Sequence, residues 1–451
     1  MAATHTVKPV RIAGLSFALM VATAILFWPL LEADVANRAL SILALAAILW
    51  MTEAIPLALT AVLVPVLAAA SGVLSAQKSI LPFANPVIFL FMGGFVLAGA
   101  LSYYRLDRYM AQKLVSMAGG NLYRASILLM FATSLLAGWI GNTATTAMMI
   151  PLGIGLLAAA PGDASGPNHK FLILGIAYAA NIGGVMTLIG TPPNAIGAAI
   201  LDLSFAGWLS YSLPVFAVTF PVMVAVLTAW FRPDRKAPVD KNQAQTELRP
   251  GSNKLIAIFL ITVLLWMLEG LLAPALGIAQ GFTAMAALAC ITMIALSRTL
   301  EITQIASYIR WDVLLLFGGG LCLGTVVEQS GLGAILIDRV IAMGSLLPAV
   351  VFLWLVILFC IALTEFMSNT ASAALILPLL YTLAGKMETD PALLVLPATF
   401  AASYGFMLPV GTPPNAMAYG TGLVPQRHML GAGLVMNILF SIVLTALFYW
   451  V

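Results

Sequence analysis

Two short polar stretches interrupt segments that are otherwise fit for lipid. Ile140-Gly141-Asn142-Thr143-Ala144-Thr145-Thr146 lies inside an uncharged run from Ala125 to Ala160, and Met367-Ser368-Asn369-Thr370-Ala371-Ser372-Ala373 repeats its form. Each continues to a proline nine residues after the Asn, Pro151 and Pro378. Each is followed downstream by one hexapeptide, Gly-Thr-Pro-Pro-Asn-Ala, at 190–195 and 411–416. Asn and Thr suit the start of a helix, where a side-chain oxygen accepts a backbone N–H. The free N–H groups and positive end of such a helix attract an anion. At Thr191-Pro192-Pro193 proline removes a backbone donor and pushes its predecessor out of helical geometry, so a first half-helix ends there. Its last carbonyls are then expected to lose their partners, which is costly in lipid unless something binds them. Na⁺ is a natural partner, helped by the side-chain oxygen of Asn142. Pro192 suits the first turn of the next half-helix, with Thr191 as its cap. The second copy repeats this with Gly411-Thr412-Pro413-Pro414 and Asn369.

No Lys or Arg occurs in 125–160, 171–201, 366–385 or 391–426. An anion held there is held by helix ends, hydroxyls, amides and bound cations rather than by a salt bridge, which makes cation coupling physically sensible. The acid next to these stretches is Glu365, read as a packed, hydrogen-bonded support for the second tip rather than as a titrating group. Singly each motif is weak, since Pro-Pro is often only a kink and Asn-Thr only a cap. Duplication in the same order raises the joint signal.

These stretches need helices to carry them. Of the 451 residues 62% are hydrophobic and 8% charged, too little charge for a soluble surface and the balance of a polytopic membrane protein. A net charge of +3 gives no reason to expect nucleic acid. Cys290, Cys322 and Cys360 lie in apolar runs without metal-ligand spacing. His5, His169 and His428 lie at the N-terminus or near span ends. Apolar runs predict an all-α fold with about 11 transmembrane helices, near 12–32, 37–54, 55–72, 87–104, 171–201 (broken), 209–230, 255–273, 280–297, 313–329, 391–424 (broken) and 430–450. Two re-entrant helical hairpins, around Gly141 and Ser368, add to these. The arm Ala125–Ile140 is about 24 Å long as a helix, against roughly 30 Å of hydrocarbon, so each tip is expected near mid-membrane. Two ordinary short spans with a polar turn remain the alternative. Amphipathic stretches at Arg105–Gly120 and Gly331–Gly344 are expected at the interface.

Phe91-Met92-Gly93-Gly94 is echoed by Phe317-Gly318-Gly319-Gly320. Five spans separate the two starts, so the repeats enter the membrane from opposite sides, the plan of many secondary transporters. The loop 231–254 carries Arg232, Arg235, Lys236, Lys241, Arg249 and Lys254 and is placed in the cytoplasm. That puts the N-terminus, with Lys8 and Arg11, inside and the C-terminus outside. An intramembrane enzyme would need a nucleophile with a base, paired acids or a metal cluster, and the knots hold none. A channel, and a transporter of another solute on a related fold, remain rival classes.

The pairing of Ser-Asn-Thr tips with Thr-Pro-Pro-Asn breaks resembles the divalent anion/sodium symporter family over nearly the whole chain. The resemblance implies Na⁺-coupled symport of C4 dicarboxylates of the succinate, malate and fumarate class by an elevator mechanism in a homodimer in the cell (inner) membrane. Sulfate, a tricarboxylate or another oxyanion, or dicarboxylate exchange on the same fold, is the alternative. The implied division is 1–120 scaffold helices with an interfacial helix, 121–231 first hairpin and helices 5–6 of the transport part, 232–254 cytoplasmic loop, 255–345 scaffold, and 346–451 second hairpin and last helices. Carried over by motif, one sodium falls to Ala137, Gly141, Asn142 and Gly190, and another to Thr364, Met367, Asn369 and Gly411. Substrate falls to Asn142, Thr143, Thr191, Ser368, Asn369, Thr370, Thr412 and Pro413. Gly141 stands where the family pattern has Ser. A serine is expected to be tolerated there unless the glycine takes a positive φ.

Overall fold

The computed structural model describes residues 11–158, 166–239, 246–278, 280–336, 338 and 347–449. Lys8, Lys241 and half of the second amphipathic stretch lie outside them. The described chain is helical, and its one β contact is an isolated bridge between Asn121 and Pro238.

The first repeat is preceded by α1 (Ile12–Phe27), α2 (Asp34–Thr52), α3 (Leu57–Ala70) and the short α4 (Ala76–Ile80). Then come α5 (Pro86–Tyr103), the amphipathic α6 (Leu106–Ser116), α7 (Leu122–Ile140), α8 (Asn142–Ala158), α9 (Pro167–Gly184), α10 (Pro192–Leu201) and α11 (Phe205–Phe231). Between the repeats lie α12 (Ser252–Met267), α13 (Glu269–Ala275), α14 (Phe282–Leu296) and α15 (Ile302–Tyr308). The second repeat runs through α16 (Trp311–Gln329), α17 (Ala349–Phe366), α18 (Asn369–Lys386), α19 (Ala392–Ala401), α20 (Pro413–Gly420) and α21 (Gln426–Tyr449).

Among the described residues seven helical segments are long and apolar enough to cross a membrane, and α12 with α13 makes an eighth if that pair, bent by 76°, is one span. The first arm of each hairpin, α7 and α17, is among the seven. Both breaks are longer than the Thr-Pro-Pro signal suggests. Helix α9 already ends at Gly184, after a Gly183-Gly184 pair, and the chain is unwound over 185–191; the second break covers 402–412.

The two repeats pack reciprocally. Helix α9 lies on α20 as α10 lies on α19, and α8 lies on α20 as α10 lies on α18. Exchange of equivalent partners is what a twofold relation between two copies produces. Consistently, the equivalent residues Phe91 and Phe317 touch each other, ring centroids 4.9 Å apart and nearly perpendicular. Small residues let the helices close up: a Cβ on Gly93 would sit 2.7 Å from the carbonyl oxygen of Ala287, and one on Gly319 would sit 2.4 Å from that of Ala61. The crossed packing carries both tips and both breaks into one buried region.

Candidate substrate and cation site

The first tip is a single residue. Gly141 separates α7 from α8 with φ +90° and ψ 148°, a backbone state that favours glycine strongly. Asn142 opens α8; its Oδ1 accepts the N–H of Thr143 at 2.8 Å, and its Nδ2 donates to Oδ1 of Asn181 at 3.4 Å. The second tip has a different backbone. Met367 is extended, and Ser368, with φ −57° and ψ 136°, precedes α18 without a side-chain cap bond. The N-terminal amides of α18 are therefore not capped by Ser368, as an anion-binding helix start requires. The equivalent positions Gly141 and Ser368 are not interchangeable.

The bare carbonyls expected at the breaks are mostly not bare. Asn194 donates its side-chain amide to the carbonyls of Gly184 at 2.9 Å and Thr187 at 2.7 Å. Trp208 and Ser212 on α11 take the carbonyls of Val185 at 3.0 Å and Met186 at 2.6 Å. In the second repeat Asn415 makes the same two bonds, to Gly405 at 2.9 Å and Leu408 at 3.1 Å, and the Tyr178 hydroxyl takes Phe406 at 2.6 Å. The Asn of each hexapeptide thus closes its own break, and the unwound backbone is satisfied from within. The expectation of bare carbonyls calling for a cation partner is thus met largely by side chains of the chain itself.

Around the first proposed sodium set, Gly190 is pressed between helices. A Cβ on it would lie 2.3 Å from the oxygen of Gly184 and 3.0 Å from Cα of Gly138. The oxygen of Gly190 faces Gly141, 3.7 Å from where a Cβ would stand, and Asn142 lies beside Gly184. Gly141, Asn142 and Gly190 therefore converge, with Ala137 fully buried one turn before the tip, its carbonyl accepting the N–H of Gly141 at 3.1 Å.

In the second set Thr364 Oγ1 lies 2.7 Å from Oδ1 of Asn369 and 2.8 Å from the carbonyl oxygen of Ala402. The hydroxyl has one proton and can donate to only one of them. Three oxygens thus share one proton in a buried place, an arrangement that a small cation relieves. Ala402 was not in the sequence-derived set. Met367 lies between Thr364 and Asn369 in the chain, and Gly411 lies against Glu365, whose Oε2 would be 3.0 Å from an added Cβ.

Glu365 is 3% exposed and engaged at both oxygens. Oε1 accepts from the Met407 N–H at 2.7 Å and from Asn437 Nδ2 at 2.7 Å, and Oε2 from the Leu408 N–H at 2.9 Å. It supports the second break, not the tip.

Of the proposed substrate residues, Thr143 and Ser368 are half-buried, Asn142, Thr191, Asn369, Thr370 and Thr412 are buried, and Pro413 is exposed at the first turn of α20. Thr412 caps α20, its Oγ1 accepting the Asn415 N–H at 3.2 Å, whereas Thr191 makes no such bond. Among the described residues no hydrogen bond joins the tips directly. Two further hydroxyls occupy equivalent places three residues after each tip Asn: Thr145 and Ser372 are buried with no partner.

The sequence model described as "Citrate transporter" matches residues 47–397 of this chain. An uncharacterized transporter of Haemophilus influenzae is 39% identical over 421 residues, covering 92% of this chain and 91% of its own. The sodium-dependent dicarboxylate transporter SdcS of Staphylococcus saprophyticus is 33% identical over 463 residues, covering 96% and 89%. Among solved structures, the YdaH transporter of Alcanivorax borkumensis, described as having an unusual topology, superposes with a TM-score of 0.57 at 16% identity over 95% of this chain and 98% of its own, a likeness of fold alone.

Proposed function

Because the chain belongs to the citrate transporter family, whose members here include sodium-dependent dicarboxylate carriers, and is a transporter and not an enzyme, we propose that it couples inward Na⁺ movement to symport of a C4 dicarboxylate of the succinate, malate and fumarate class. The observation that carries this is the proton-poor oxygen cluster of Thr364, Asn369 and Ala402 beside an uncapped helix start at Ser368. The cluster suits a cation and the helix start suits an anion, side by side. At the first tip Gly141, Asn142 and Gly190, with Ala137, supply a second oxygen set. The carboxylates lie between Ser368, Asn369 and Thr370 on one side and Asn142, Thr143, Thr191, Thr412 and Pro413 on the other. With no Lys or Arg in these segments, bound Na⁺ neutralises the substrate charge. At least two ions therefore accompany each substrate.

In this proposal the chain spans the inner membrane eleven times with both hairpins re-entrant, the N-terminus in the cytoplasm and the C-terminus outside. A homodimeric scaffold holds a transport part, 121–231 and 346–451, which moves as an elevator. A tricarboxylate cargo is the second reading, favoured by the description of the family. Uptake of radiolabelled succinate, citrate and sulfate into proteoliposomes, in sodium and in choline buffer, tests both. Sodium-dependent succinate uptake supports symport of a dicarboxylate; equal uptake in the two buffers rejects sodium coupling, and preferred citrate uptake rejects the C4 substrate.

A further inference from the structure

Asn181 was not singled out by any motif, yet it ties the two repeats together. It sits on α9, 1% exposed. Its Oδ1 accepts from Asn142 Nδ2 at 3.4 Å, and its Nδ2 lies 3.0 Å from Oγ1 of Thr412 and 3.2 Å from Oδ1 of Asn415. One side chain therefore touches the first tip at one end and the cap and staple of the second break at the other.

Only one of the two repeats carries such a link. The position equivalent to Asn181 in the second repeat is Ala402, which has no side-chain amide, and its carbonyl is occupied by Thr364. Correspondingly, Oδ1 of Asn194, the counterpart of Asn415 Oδ1, is buried without a partner. Asn369 is held inside its own repeat by Thr364, while Asn142 is linked through Asn181 to the second repeat.

We infer that Asn181 is a positioning residue through which an ion drawn to Asn142 sets the geometry of Thr412 and the second break, so that the two cation sites fill cooperatively. When Asn142 Oδ1 turns to a cation, its Nδ2 is pressed towards Asn181. That fixes the Asn181 amide, whose other end holds Thr412, the chain neighbour of Gly411 in the second proposed cation set. Such a link between two sites is a coupling free energy and acts equally in both directions. The inference rests on the sodium-symport reading, and the test separates the two.

The test uses the purified full-length protein and Asn181→Leu, with Asn181→Asp as a second variant that keeps the volume but loses both donors. Sodium titrations are read by thermal stabilisation in detergent without substrate, and by substrate uptake in proteoliposomes. The wild type is expected to respond to Na⁺ with a Hill coefficient above one. In both variants the coefficient is expected to fall to about 1, with half-saturating sodium raised roughly 5- to 10-fold. Maximal uptake at saturating sodium is expected to fall less than affinity. A purely structural role would lower the melting temperature and leave the steepness of the sodium response unchanged. A folded variant with wild-type steepness and sodium affinity overturns the inference. If Asn181→Leu fails to fold, Asn181→Asp decides on the same criteria. A wild type without any sodium response in either assay overturns both the inference and the symport reading. One with a sodium response but no succinate uptake overturns only the substrate.

Discussion

Thr364 and Asn369 face each other across the second tip at 2.7 Å, hydroxyl to amide oxygen, while the equivalent of Thr364 in the first repeat is Ala137. The two proposed cation sets therefore share a scaffold but differ in chemistry, and they should respond differently to substitution.

Thr364→Ala removes the shared proton and one oxygen. Ala137 shows that the hairpin accepts alanine at this place, so folding should survive. A hydrogen bond or ligand to a charged group is worth about 1.5–3 kcal/mol, so half-saturating sodium should rise roughly tenfold or more. Sodium titration of succinate uptake measures it; an unchanged midpoint would remove Thr364 from the cation site.

The break staples predict a graded loss of stability. Asn194→Ala and Asn415→Ala each leave two backbone carbonyls without their amide donor, at about 1–3 kcal/mol per buried group. Asn415→Ala also removes one acceptor of the Asn181 amide and should melt lower than Asn194→Ala in detergent. Equal melting temperatures for both variants and the wild type would contradict the role assigned to this Asn.

Gly141→Ser should not be tolerated as the family pattern suggests. At φ +90° and ψ 148° a side chain costs about 1–3 kcal/mol or forces the tip to move. Space is not the obstacle, since a Cβ there meets nothing nearer than 3.7 Å. The folded variant is expected to lose sodium affinity and uptake, whereas Ser368→Gly, at an ordinary φ, should retain the fold. Wild-type sodium dependence of Gly141→Ser would show that the tip relaxes freely.

Glu365→Gln keeps the shape but turns an amide towards the Leu408 N–H. One of three accepted bonds is lost and two donors are set against each other, costing about 1–3 kcal/mol. Melting temperature and uptake should fall together. A variant with normal stability but no transport would instead give Glu365 a part in moving charge.

On the amphipathic α6, burial pushes the Asp107 carboxyl above its ordinary range, against the backbone N–H of Arg108 that stabilises the anion. The protonated form is thus favoured by folding. Its contribution is fully present below the unfolded carboxylate value and is lost as pH rises through the higher folded value. Asp107→Asn should therefore raise the melting temperature at neutral pH and flatten its fall between acid and neutral pH. Parallel melting curves for variant and wild type would show that Asp107 is not the group responsible.

The duplicated motifs made the tips, the breaks and the pairing of each Asn with its hairpin legible in the sequence. The pattern could not show that Asn194 and Asn415 close the breaks, although the signal was present, the same Asn following Thr-Pro-Pro in both copies. It reads there only as part of the repeated motif, because a hydrogen bond to a carbonyl ten residues earlier leaves no trace in spacing. The early end of α9 was marked by Gly183-Gly184 and outweighed by the prolines. Asn181 and Ala402 were invisible for a stronger reason: their partners lie on the other repeat, more than two hundred positions away, or are chosen by backbone rather than side chain.

The contact between Phe91 and Phe317 bears on how such a chain can change over generations. Residues away from the pseudo-twofold axis have a counterpart but not a shared environment, so Gly141 and Ser368, or Ala137 and Thr364, were free to drift apart. On the axis the counterpart is the environment. A larger ring on one side needs a smaller one on the other, so the two halves stay bound to each other there while their binding chemistry is free to differ.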